Sequence, residues 1–414
     1  MTNQEELKSH LTPNYAKFPI KIKTGQGSYI WDEDGKKYLD FIQGIAVNTL
    51  GHSNRKIAKT LSLQARRLVH CSNLYSIKEQ EDLAKVLVEE IVKESGKCFF
   101  CNSGAEANEA LFKLSRLYGK TFSQVRTEVI TFKNSFHGRT FAGISLTGQE
   151  KIQKGFDPLI EKIRYLEFNN LDNLSEISDR TSAVFIEIIQ GEGGINIASK
   201  EFLKELYKIC KEKKVLLFVD EIQAGLGRTG DFCSYNSVLG NSEEFIPDGI
   251  SWAKGLGGGV PIGAIWIRDK KIENSTHSLC DLFQPGTHGS TFGGNPLCCA
   301  VAKVVIDEII KRKHHKKAKN LGKYLISEIN KINSKLIKEV RGLGLMIGIE
   351  INEEEVKKIT DYQEQSPSLY FVKKLIANGL ITVGAGTKTI RLLPSLTVTK
   401  KEIDEAVKIL KKVF

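Results

Sequence analysis

The 414-residue sequence lacks a long apolar run, an apolar N-terminal segment, internal repeats and low-complexity stretches. No run approaches the roughly 20 apolar residues that a membrane-spanning helix requires. The polar start, MTNQEELKSHL, also lacks the apolar core of a secretory signal. We therefore expect a cytoplasmic protein that does not enter the membrane. Hydrophobic residues form 41% of the chain, which is enough for one large core and a smaller one.

A disulfide framework is also missing, although the chain has eight cysteines. Cys98 and Cys101 form a C-x-x-C pair, a spacing found in metal and redox sites, but no second pair and no histidine cluster accompany it. The two phenylalanines between them make KCFFC typical of a short buried strand. We therefore expect reduced, structural cysteines and no bound metal.

The net charge of +11 is not concentrated in one basic patch. Lysines are spread along the chain and often stand beside acids, a distribution that does not favour a nucleic-acid partner. The densest run, IIKRKHHKKAKNLGK, has Ile309, Ile310 and Leu321 on one side of a helical pattern, which predicts a solvated helix face. The positive excess favours anionic small-molecule substrates.

Helical patterns alternate with short apolar, β-rich runs between about residues 55 and 300. The helix candidates are 55–69, 78–94, 104–118 and 199–213, and the strand candidates are KCFFC, EVITF, SAVFIEI, VLLFV and GAIWI. This alternation predicts an α/β fold with a largely parallel sheet covered by helices on both faces.

The pattern changes after residue 296 to two long helices, short strands near 345–350 and 389–393, and a final helix. This change predicts a smaller α+β domain, and the N-terminal segment, with a hairpin around Asp34 and Gly35, is expected to join it. The predicted division is 1–55 for the N-terminal segment of the small domain, 56–300 for the large domain, and 301–414 for the C-terminal part of the small domain.

The run VLLFVDEIQAGLGRTG, residues 215–230, ends an apolar strand in two carboxylates. Burying an ionised acid without a partner is costly, so Asp220 requires a cation or several hydrogen bonds. Ligands of parallel sheets bind beyond the carboxyl ends of the strands, and Asp220 occupies such an end. The sequence therefore predicts a ligand site at this edge of the sheet.

Two further runs follow strand candidates. In CNSGAEANEALFKL, Ser103 and Glu106 have the spacing of a capping box, and the small residues Gly104 and Ala105 leave helix N-terminal N–H groups open to a phosphate. In SWAKGLGGGVPIGA, Lys254 stands among small residues, where partial desolvation would lower its pKa and make it a nucleophile. Each run alone also fits an ordinary capped helix or a surface lysine.

Aromatic and cationic side chains come together in NSFHGRT. Phe136 offers a flat face for a ring, and Arg139 offers a bidentate clamp for a carboxylate. His137 is more typical of a structural histidine. The runs STFGGNP and KTIRLLP add the hydroxyls of Ser290 and Thr291, and an arginine, Arg391, that needs a carboxylate side chain or an anionic substrate if it is buried.

Together these groups predict one ligand, a flat aromatic aldehyde that carries a phosphate. Pyridoxal 5′-phosphate requires a lysine for its aldehyde, an anion site, a stacking ring and an acid for its ring nitrogen. Asp220 would then pair with the cation of the cofactor and keep the ring an electron sink. The sequence therefore predicts a pyridoxal-phosphate enzyme.

Over nearly its whole length the sequence resembles the class-III aminotransferases of fold type I. The span FVDEIQAGLGRTG…PDGISWAKGLGGG is similar to the cofactor motif of that family, with Asp220 and Lys254 at the expected separation. The resemblance implies a seven-stranded, mostly parallel sheet and a homodimer with shared active sites, in which Thr291 reaches the cofactor of the neighbouring subunit. It also implies catalytic roles for Lys254 and Asp220, and cofactor contacts from Ser103, Gly104, Ala105, Phe136, Glu187, Asp220, Gln223, Lys254 and Thr291.

Within this class, LDFIQGIAVNTLGH, HCSNLY, FIEIIQGEGGI and HGSTFGGNPL resemble acetylornithine aminotransferases. The implied reaction moves the terminal amino group of N2-acetyl-L-ornithine to 2-oxoglutarate and gives N-acetyl-L-glutamate 5-semialdehyde and L-glutamate. This reaction is a step of arginine biosynthesis. In the cell, the step runs in the reverse direction. The substrate-binding residues that the resemblance implies are Tyr15, Gly44, Arg139, Glu192, Ser290 and Arg391.

The two substrates place different carboxylates near the reacting amine. Arg139 would bind the distant carboxylate in both half-reactions, and Arg391 would bind the α-carboxylate of glutamate. Glu192 resembles the family residue that masks this second arginine through a reversible salt bridge. Gly44 stands where ornithine aminotransferases carry a tyrosine, and glycine would leave room for an acylated amino group.

The sequence departs from the family pattern at Ile188 and Ser395, where proline is common. Ornithine aminotransferase and succinyl-diaminopimelate aminotransferase are the nearest alternatives. The second activity is also compatible with an acetylornithine aminotransferase that uses succinyl-diaminopimelate as an additional substrate. A nucleotide-dependent oxidoreductase is a more distant alternative, because GLGGG lacks the G-x-G-x-x-G spacing. The last alternative is a non-catalytic binding protein with the same fold.

Overall fold

The computed structural model describes residues 10–240, 244–273, 275–360, 362–364 and 366–414, so the first nine residues of the predicted N-terminal segment lie outside the description. The strands are β1 Ile22–Gln26, β2 Tyr29–Asp32, β3 Lys37–Asp40, β4 Gly96–Cys101, β5 Glu128–Phe132, β6 Ile163–Leu166, β7 Thr181–Ile186, β8 Ile189–Gln190, β9 Asn196–Ile197, β10 Leu216–Asp220, β11 Gly249–Trp252, β12 Gly263–Arg268, β13 Ile337–Leu343, β14 Met346–Ile351, β15 Leu380–Ile381, β16 Val383–Ala385 and β17 Thr389–Leu392.

The α-helices include both long and short elements, and none of the described ones has the length and apolar character to cross a membrane. Their bounds are Arg55–Ala65, Lys78–Val86, Gly104–Gly119, Phe141–Leu146, Glu150–Gln153, Lys200–Glu212, Ser234–Leu239, Pro296–Lys311, His314–Asn330, Glu353–Val356, Pro367–Ala377 and Lys400–Val413.

A seven-stranded sheet in the order β4-β12-β11-β10-β7-β5-β6 forms the centre of the molecule. The strands from β11 to β6 pair in parallel, whereas β12 pairs antiparallel with both β11 and β4. The predicted α/β fold with a mostly parallel sheet is therefore confirmed.

The central strand β10 explains why this sheet is buried on both sides. Leu217 and Val219 pack into the apolar cluster on one face, and Leu216 and Phe218 pack into the cluster on the other. Successive side chains of a strand point to opposite faces, so a continuous apolar run suits a strand with helices on both faces. The same run ends at Asp220, where the strand meets the edge of the sheet.

The N- and C-terminal parts of the chain share a second group of sheets. β1-β2-β3-β15 joins the two termini through the parallel pairing of β15 with β3, and β13-β14-β17-β16 is antiparallel. The hairpin expected around Gly35 is confirmed, with β2 and β3 antiparallel. The domain boundaries stay predictions, and the one at residue 300 falls inside the helix Pro296–Lys311.

Two elements differ from the sequence-based expectation. The helix expected over 78–94 becomes a π-helix at Leu87, and its wider turn brings Leu87, Ile91 and Val92 to the core. The basic run, for which the sequence predicts a helix face, includes the end of one helix and the start of the next, with Lys313 at φ +53° between them. Backbone conformation at a single lysine is not evident from periodicity, so this break could not be predicted.

Candidate active site

The carboxyl ends of β4, β5, β7, β10 and β11 border one cavity of about 430 Å³. These strands run in the same direction, and the loops that follow them therefore meet at one edge of the sheet. The cavity is lined by nine residues that the sequence predicted for the site, namely Ser103, Gly104, Ala105, Phe136, Arg139, Glu187, Asp220, Gln223 and Lys254.

Asp220 is buried at the end of β10 and accepts three hydrogen bonds. Its Oδ2 accepts from His137 Nδ1 at 2.9 Å and from Asn108 Nδ2 at 2.8 Å, and its Oδ1 accepts from the Ile222 N–H at 3.0 Å. A carboxylate can only accept, so the His137 contact requires the tautomer with a proton on Nδ1. The protein thus supplies partners for the acid that the sequence left unpaired.

The orientation of the Asn108 amide is determined by Ser251. The Ser251 hydroxyl donates to Asn108 Oδ1 at 2.8 Å, which leaves the Asn108 Nδ2 group to face Asp220 and the His137 carbonyl. Asn108 is not among the residues predicted from the sequence, and His137 is predicted there only as structural. Asn108 is fully buried, and an asparagine at a core-facing position of the helical pattern is a signal that could have identified the first of them.

The helix Gly104–Gly119 begins at the cavity wall. Ser103 is its N-cap and accepts from the Glu106 N–H at 3.2 Å, while the Glu106 carboxylate accepts from the Asn102 N–H at 2.8 Å. A β-carbon at Gly104 would lie 2.7 Å from Ile222 Cδ1, so this position has room only for glycine unless Ile222 moves. The remaining N–H groups of the first turn are suited to an anion.

Lys254 lies two residues beyond β11 and lines the same cavity. Burial lowers the pKa of its amine, and the Glu192 carboxylate opposes part of that shift. A lysine in such a position has more of the neutral, nucleophilic form near neutral pH than an exposed lysine has.

Glu187 connects two parts of the site at the end of β7. Its Oε2 accepts from the Phe136 N–H at 2.9 Å, and its Oε1 accepts from the Gly191 N–H at 3.1 Å. Burial raises the pKa of this carboxyl to about 7, with His137 opposing the shift and the Asp220 charge adding to it. The aromatic face of Phe136 and the loop that follows Gly191 are therefore held by one side chain.

Arg391 is fully buried and forms an ion pair with Glu192. Its Nη1 donates to Glu192 Oε1 at 2.6 Å and to Gln223 Oε1 at 2.8 Å, while its Nε and Nη2 have no partner within the described residues. Burial alone raises the pKa of Glu192, but the Arg391 guanidinium outweighs it and holds the pKa below its usual value. The arginine thus has a carboxylate partner and two unused donors.

The other predicted residues lie outside the cavity lining within this chain. Ser290 is half-buried and its hydroxyl accepts from Asn102 Nδ2 at 3.1 Å, whereas Thr291 and Tyr15 are exposed. Gly44 has φ +66° and belongs to the left-handed turn 43–46, which leads to the cavity-lining residue Val47. Arg139, by contrast, is exposed at the cavity wall, with its guanidinium 5.7 Å from the Phe136 ring centroid.

The family to which this chain belongs follows from a match that covers the described fold. The family model named Aminotransferase class-III matches residues 11–414. The chain is therefore a member of the class-III aminotransferases, and the expected family and enzyme class are confirmed.

Individual relatives within this class are named for the substrate on which they act. An acetylornithine aminotransferase of Aquifex aeolicus (strain VF5) is 43% identical over 407 residues, which cover 98% of this chain and 100% of the relative. Another, of Oceanobacillus iheyensis, is 42% identical over 417 residues, which cover 100% of this chain and 98% of the relative.

Two solved structures have the same fold. The ornithine aminotransferase from Toxoplasma gondii ME49 is similar with a TM-score of 0.88 and 30% identity, and the match covers 98% of this chain and 92% of that one. The N-acetylornithine aminotransferase from Stenotrophomonas maltophilia K279a is similar with a TM-score of 0.78 and 31% identity, and the match covers 96% of each chain.

Proposed function

We propose that the protein is a pyridoxal-phosphate-dependent acetylornithine aminotransferase. It transfers the terminal amino group between N2-acetyl-L-ornithine and 2-oxoglutarate, and it gives N-acetyl-L-glutamate 5-semialdehyde and L-glutamate, as in arginine biosynthesis. The observation that supports this best is the ion pair of the buried Arg391 with the half-buried Glu192, beside the cavity that Lys254 lines. A maskable arginine suits an enzyme whose two substrates differ in where they carry a carboxylate.

The cavity fits pyridoxal phosphate in the chemistry of its walls. The first turn of the helix at Gly104 would hold the phosphate, Phe136 would stack on the ring, and Asp220 would face the ring nitrogen. Gln223 would contact the ring oxygen. When bound, the cofactor supplies an electron sink for the carbanion that forms at the amine-bearing carbon. A related structure, that of an ornithine aminotransferase from Toxoplasma gondii crystallized in the presence of oxidized glutathione, has partial occupancy of PLP at its active site.

Lys254 performs the proton transfers in this proposal. Its lowered pKa would provide a neutral Nζ, which would hold the cofactor's aldehyde in the absence of substrate and, once the donor amine has displaced it, would act as the base for the proton on the amine-bearing carbon. Asp220 stays fixed during these steps because His137, Asn108 and the backbone bind both of its oxygens. The charge of Asp220 therefore acts from a preorganised position.

Arg139 and Arg391 bind different carboxylates of the two substrates. Arg139 binds the carboxylate that lies far from the reacting amine in either substrate. Arg391 binds the α-carboxylate of glutamate through Nη1, the donor that Glu192 occupies, after Glu192 moves away. With N-acetylornithine, Glu192 stays on Arg391 and neutralises it, because a buried unpaired cation is costly.

Thr291 supports a homodimer with shared sites as part of this proposal. It is exposed and lies outside the cavity of its own chain, so it is free to contact the phosphate site of a second copy. A cytoplasmic location agrees with the small charged metabolites that this reaction requires.

Half-reactions of the purified, cofactor-loaded protein test the proposal. N-acetylornithine, ornithine, succinyl-diaminopimelate and γ-aminobutyrate are added separately, and the visible absorbance of the bound cofactor is followed. We expect the fastest loss with N-acetylornithine and recovery with 2-oxoglutarate. A faster loss of absorbance with another donor would mean that this donor, and not N-acetylornithine, is the preferred substrate. A protein that binds no pyridoxal phosphate would favour the non-catalytic alternative.

A Lys254→Ala variant serves as the control in the same assay. It should bind the cofactor without covalent attachment and should show no half-reaction with any donor. Reduction of the wild-type protein with borohydride followed by peptide mass analysis should locate the cofactor on Lys254.

A further inference from the structure

The loop that carries Glu192 is the turn of a short hairpin. β8 and β9 pair antiparallel, with Ile189 opposite Ile197 and Gln190 opposite Asn196, and residues 191–195 connect them. Ile195 ends the turn with φ +58°, a strained conformation for a β-branched residue, and it is fully buried. Contacts with the rest of the protein must therefore hold this turn in place.

Glu187 accepts from the Gly191 N–H at the start of the loop, and Asn196 donates to the Gly193 carbonyl. The contacts at the Glu192 side chain and at the end of the loop come from one row of residues across the C-terminal sheet. Arg341 of β13 is opposite Gly348 of β14, and Gly348 is opposite Arg391 of β17. Residues that face each other across antiparallel strands lie on the same side of a sheet. Two arginines with a glycine between them therefore present one surface to the hairpin.

Each residue of the row contacts a different part of the loop. Arg391 binds the Glu192 carboxylate, while Arg341 Nη2 donates to the Gly194 carbonyl at 2.6 Å and Arg341 Nε donates to the Ile195 carbonyl at 3.1 Å. The side chain of Ile195 packs over Gly348, where an added β-carbon would lie 3.0 Å from the Ile195 Cβ.

The charge of Arg341 is already neutralised by other acids. Its Nη1 donates to Glu350, and to Glu339 at 2.9 Å. Arg341 therefore does not compete with Arg391 for the Glu192 carboxylate, and its remaining donors bind the loop carbonyls and, at 3.4 Å, the Thr389 hydroxyl. Arg341 binds the backbone of the loop through hydrogen bonds to two carbonyls. Arg391 binds the loop only through the side chain of Glu192.

We propose that Arg341 is a positioning residue that holds the hairpin loop on the C-terminal sheet, so that Glu192 leaves and returns to Arg391 by side-chain rotation alone. This inference rests on the proposed two-substrate function. A loop held in this way keeps the Glu192 carboxylate at a high local concentration beside Arg391. Arg341 would thereby determine how strongly the enzyme discriminates between N-acetylornithine and glutamate.

Arg341→Gln removes the guanidinium that binds the two loop carbonyls. We expect the ratio of kcat/KM for glutamate to kcat/KM for N-acetylornithine to rise about tenfold, because Glu192 would mask Arg391 less effectively, an effect of about 1.4 kcal/mol. In the cofactor-free protein, amide hydrogen exchange over residues 189–197 should become faster. Arg164→Gln is the matched control, since Arg164 pairs with Glu128 and Glu176 away from this loop, and it should change neither quantity.

Two further variants keep the test decisive. Gly348→Ala would place a methyl group 2.9 Å from Thr389 Cγ2 and 3.0 Å from Ile195 Cβ. It should displace Ile195 from the sheet and shift the same ratio in the same direction, even if Arg341→Gln folds poorly. In a Glu192→Gln background, Arg341→Gln should cause no additional change in the ratio, because Arg341 acts through Glu192.

The outcomes separate this inference from the proposed function. If the wild-type protein does not use both N-acetylornithine and glutamate, the proposed function fails, and faster exchange of 189–197 in Arg341→Gln would still support the anchoring of the loop. If the wild type uses both substrates and Arg341→Gln slows the two half-reactions equally, the function stands and the positioning role is overturned. Additive effects of Arg341→Gln and Glu192→Gln would also overturn it.

Discussion

The Nδ2 group of Asn108 lies 2.8 Å from Oδ2 of Asp220, and Oδ1 of the same amide accepts a hydrogen bond from the Ser251 hydroxyl. Register brings these residues together, because Asp220 at the end of β10 is opposite Ser251 of β11, and the helix with Asn108 packs over both strands. A serine and an asparagine thus determine which groups the Asp220 carboxylate can bind.

Asn108→Asp should therefore impair the reaction more than Asn108→Leu does. The new carboxylate would face Asp220 at hydrogen-bond distance, and two like charges there favour one shared proton, which weakens the charge of Asp220. We expect turnover to fall roughly 10- to 100-fold. This is the range that is typical when a residue that orients a metal ligand is replaced, and Asn108 orients Asp220 in the same way. The measurement is kcat together with the pH dependence of the bound-cofactor spectrum.

Asn108→Leu removes the hydrogen bond but adds no charge, and it is the matched comparison. It should retain more activity than Asn108→Asp and should leave the pH dependence of the spectrum closer to that of the wild type. Equal losses in the two variants would show that only packing matters at this position.

The central strands and much of the site could be predicted because they depend on local patterns. A continuous apolar run such as Leu216–Val219 indicates a strand covered on both faces, and residues directly after such strands must meet at one edge. These patterns place Asp220, Lys254 and the helix start at Gly104 at that edge, whereas their roles as site residues rest on the resemblance to the family and stay predictions.

The supporting contacts could not be predicted, because they join residues that are far apart in sequence. The pair of Asn108 and Asp220 spans 112 positions, and that of Arg341 and Gly194 spans 147. Hydrogen bonds of this kind depend on strand register and side-chain rotamer, and neither follows from periodicity. The antiparallel direction of β12 was hidden for the same reason, since GAIWI has the pattern of any other buried strand.

Gly104→Ala should weaken cofactor binding. The added methyl group would lie 2.7 Å from Ile222 Cδ1 and 3.0 Å from Ile222 Cγ2, so Ile222, which lines the cavity, must shift and change the shape of the cavity wall. We expect the dissociation constant for pyridoxal phosphate to rise about tenfold, which corresponds to about 1.4 kcal/mol. Fluorescence titration of the cofactor-free protein measures it.

Ile222→Val supplies the control for this variant, since it removes the Cδ1 atom that the new methyl group would strike. Alone it should bind the cofactor nearly as well as the wild type, and combined with Gly104→Ala it should restore part of the lost affinity. No recovery in the double variant would mean that the methyl group acts on the helix terminus rather than on Ile222.

Lys254 should react with aldehydes at lower pH than ordinary lysines do. Burial lowers its pKa, so the neutral amine becomes available at a lower pH. Lys97 is a control within the same molecule, because its hydrogen bond to Asp281 raises its pKa. Reductive methylation of the cofactor-free protein at a series of pH values from mildly acidic to alkaline, followed by peptide mass analysis, should show Lys254 labelled at a lower pH than Lys97. The reverse order would contradict a lowered pKa.

Glu221 should make the wild-type protein less stable as pH rises through the neutral range. It is buried, its Oε1 accepts from the Ser234 N–H at 2.7 Å and from the Ser234 hydroxyl at 2.8 Å, and its Oε2 has no partner within the described residues. Burial raises its pKa from 4.5 to about 8, with the Asp220 charge adding to the shift despite the opposing Ser234 bonds. Between these two pH values the folded state retains a proton that the unfolded state has lost. Stability therefore falls as pH rises through this interval.

Glu221→Gln should remove this pH dependence, because the amide has the same shape, accepts the same Ser234 bonds and cannot ionise. The free energy of unfolding of the variant relative to that of the wild type should increase by about 1.4 kcal/mol per pH unit from about pH 5.5 to 7.5. Urea unfolding at several pH values measures it, and Glu212→Gln, an exposed acid at the end of the helix Lys200–Glu212, should leave the slope of the wild type unchanged. Parallel curves for the wild type and Glu221→Gln would mean that Glu221 is ionised in the folded protein, and that a charged carboxylate lies directly beside Asp220.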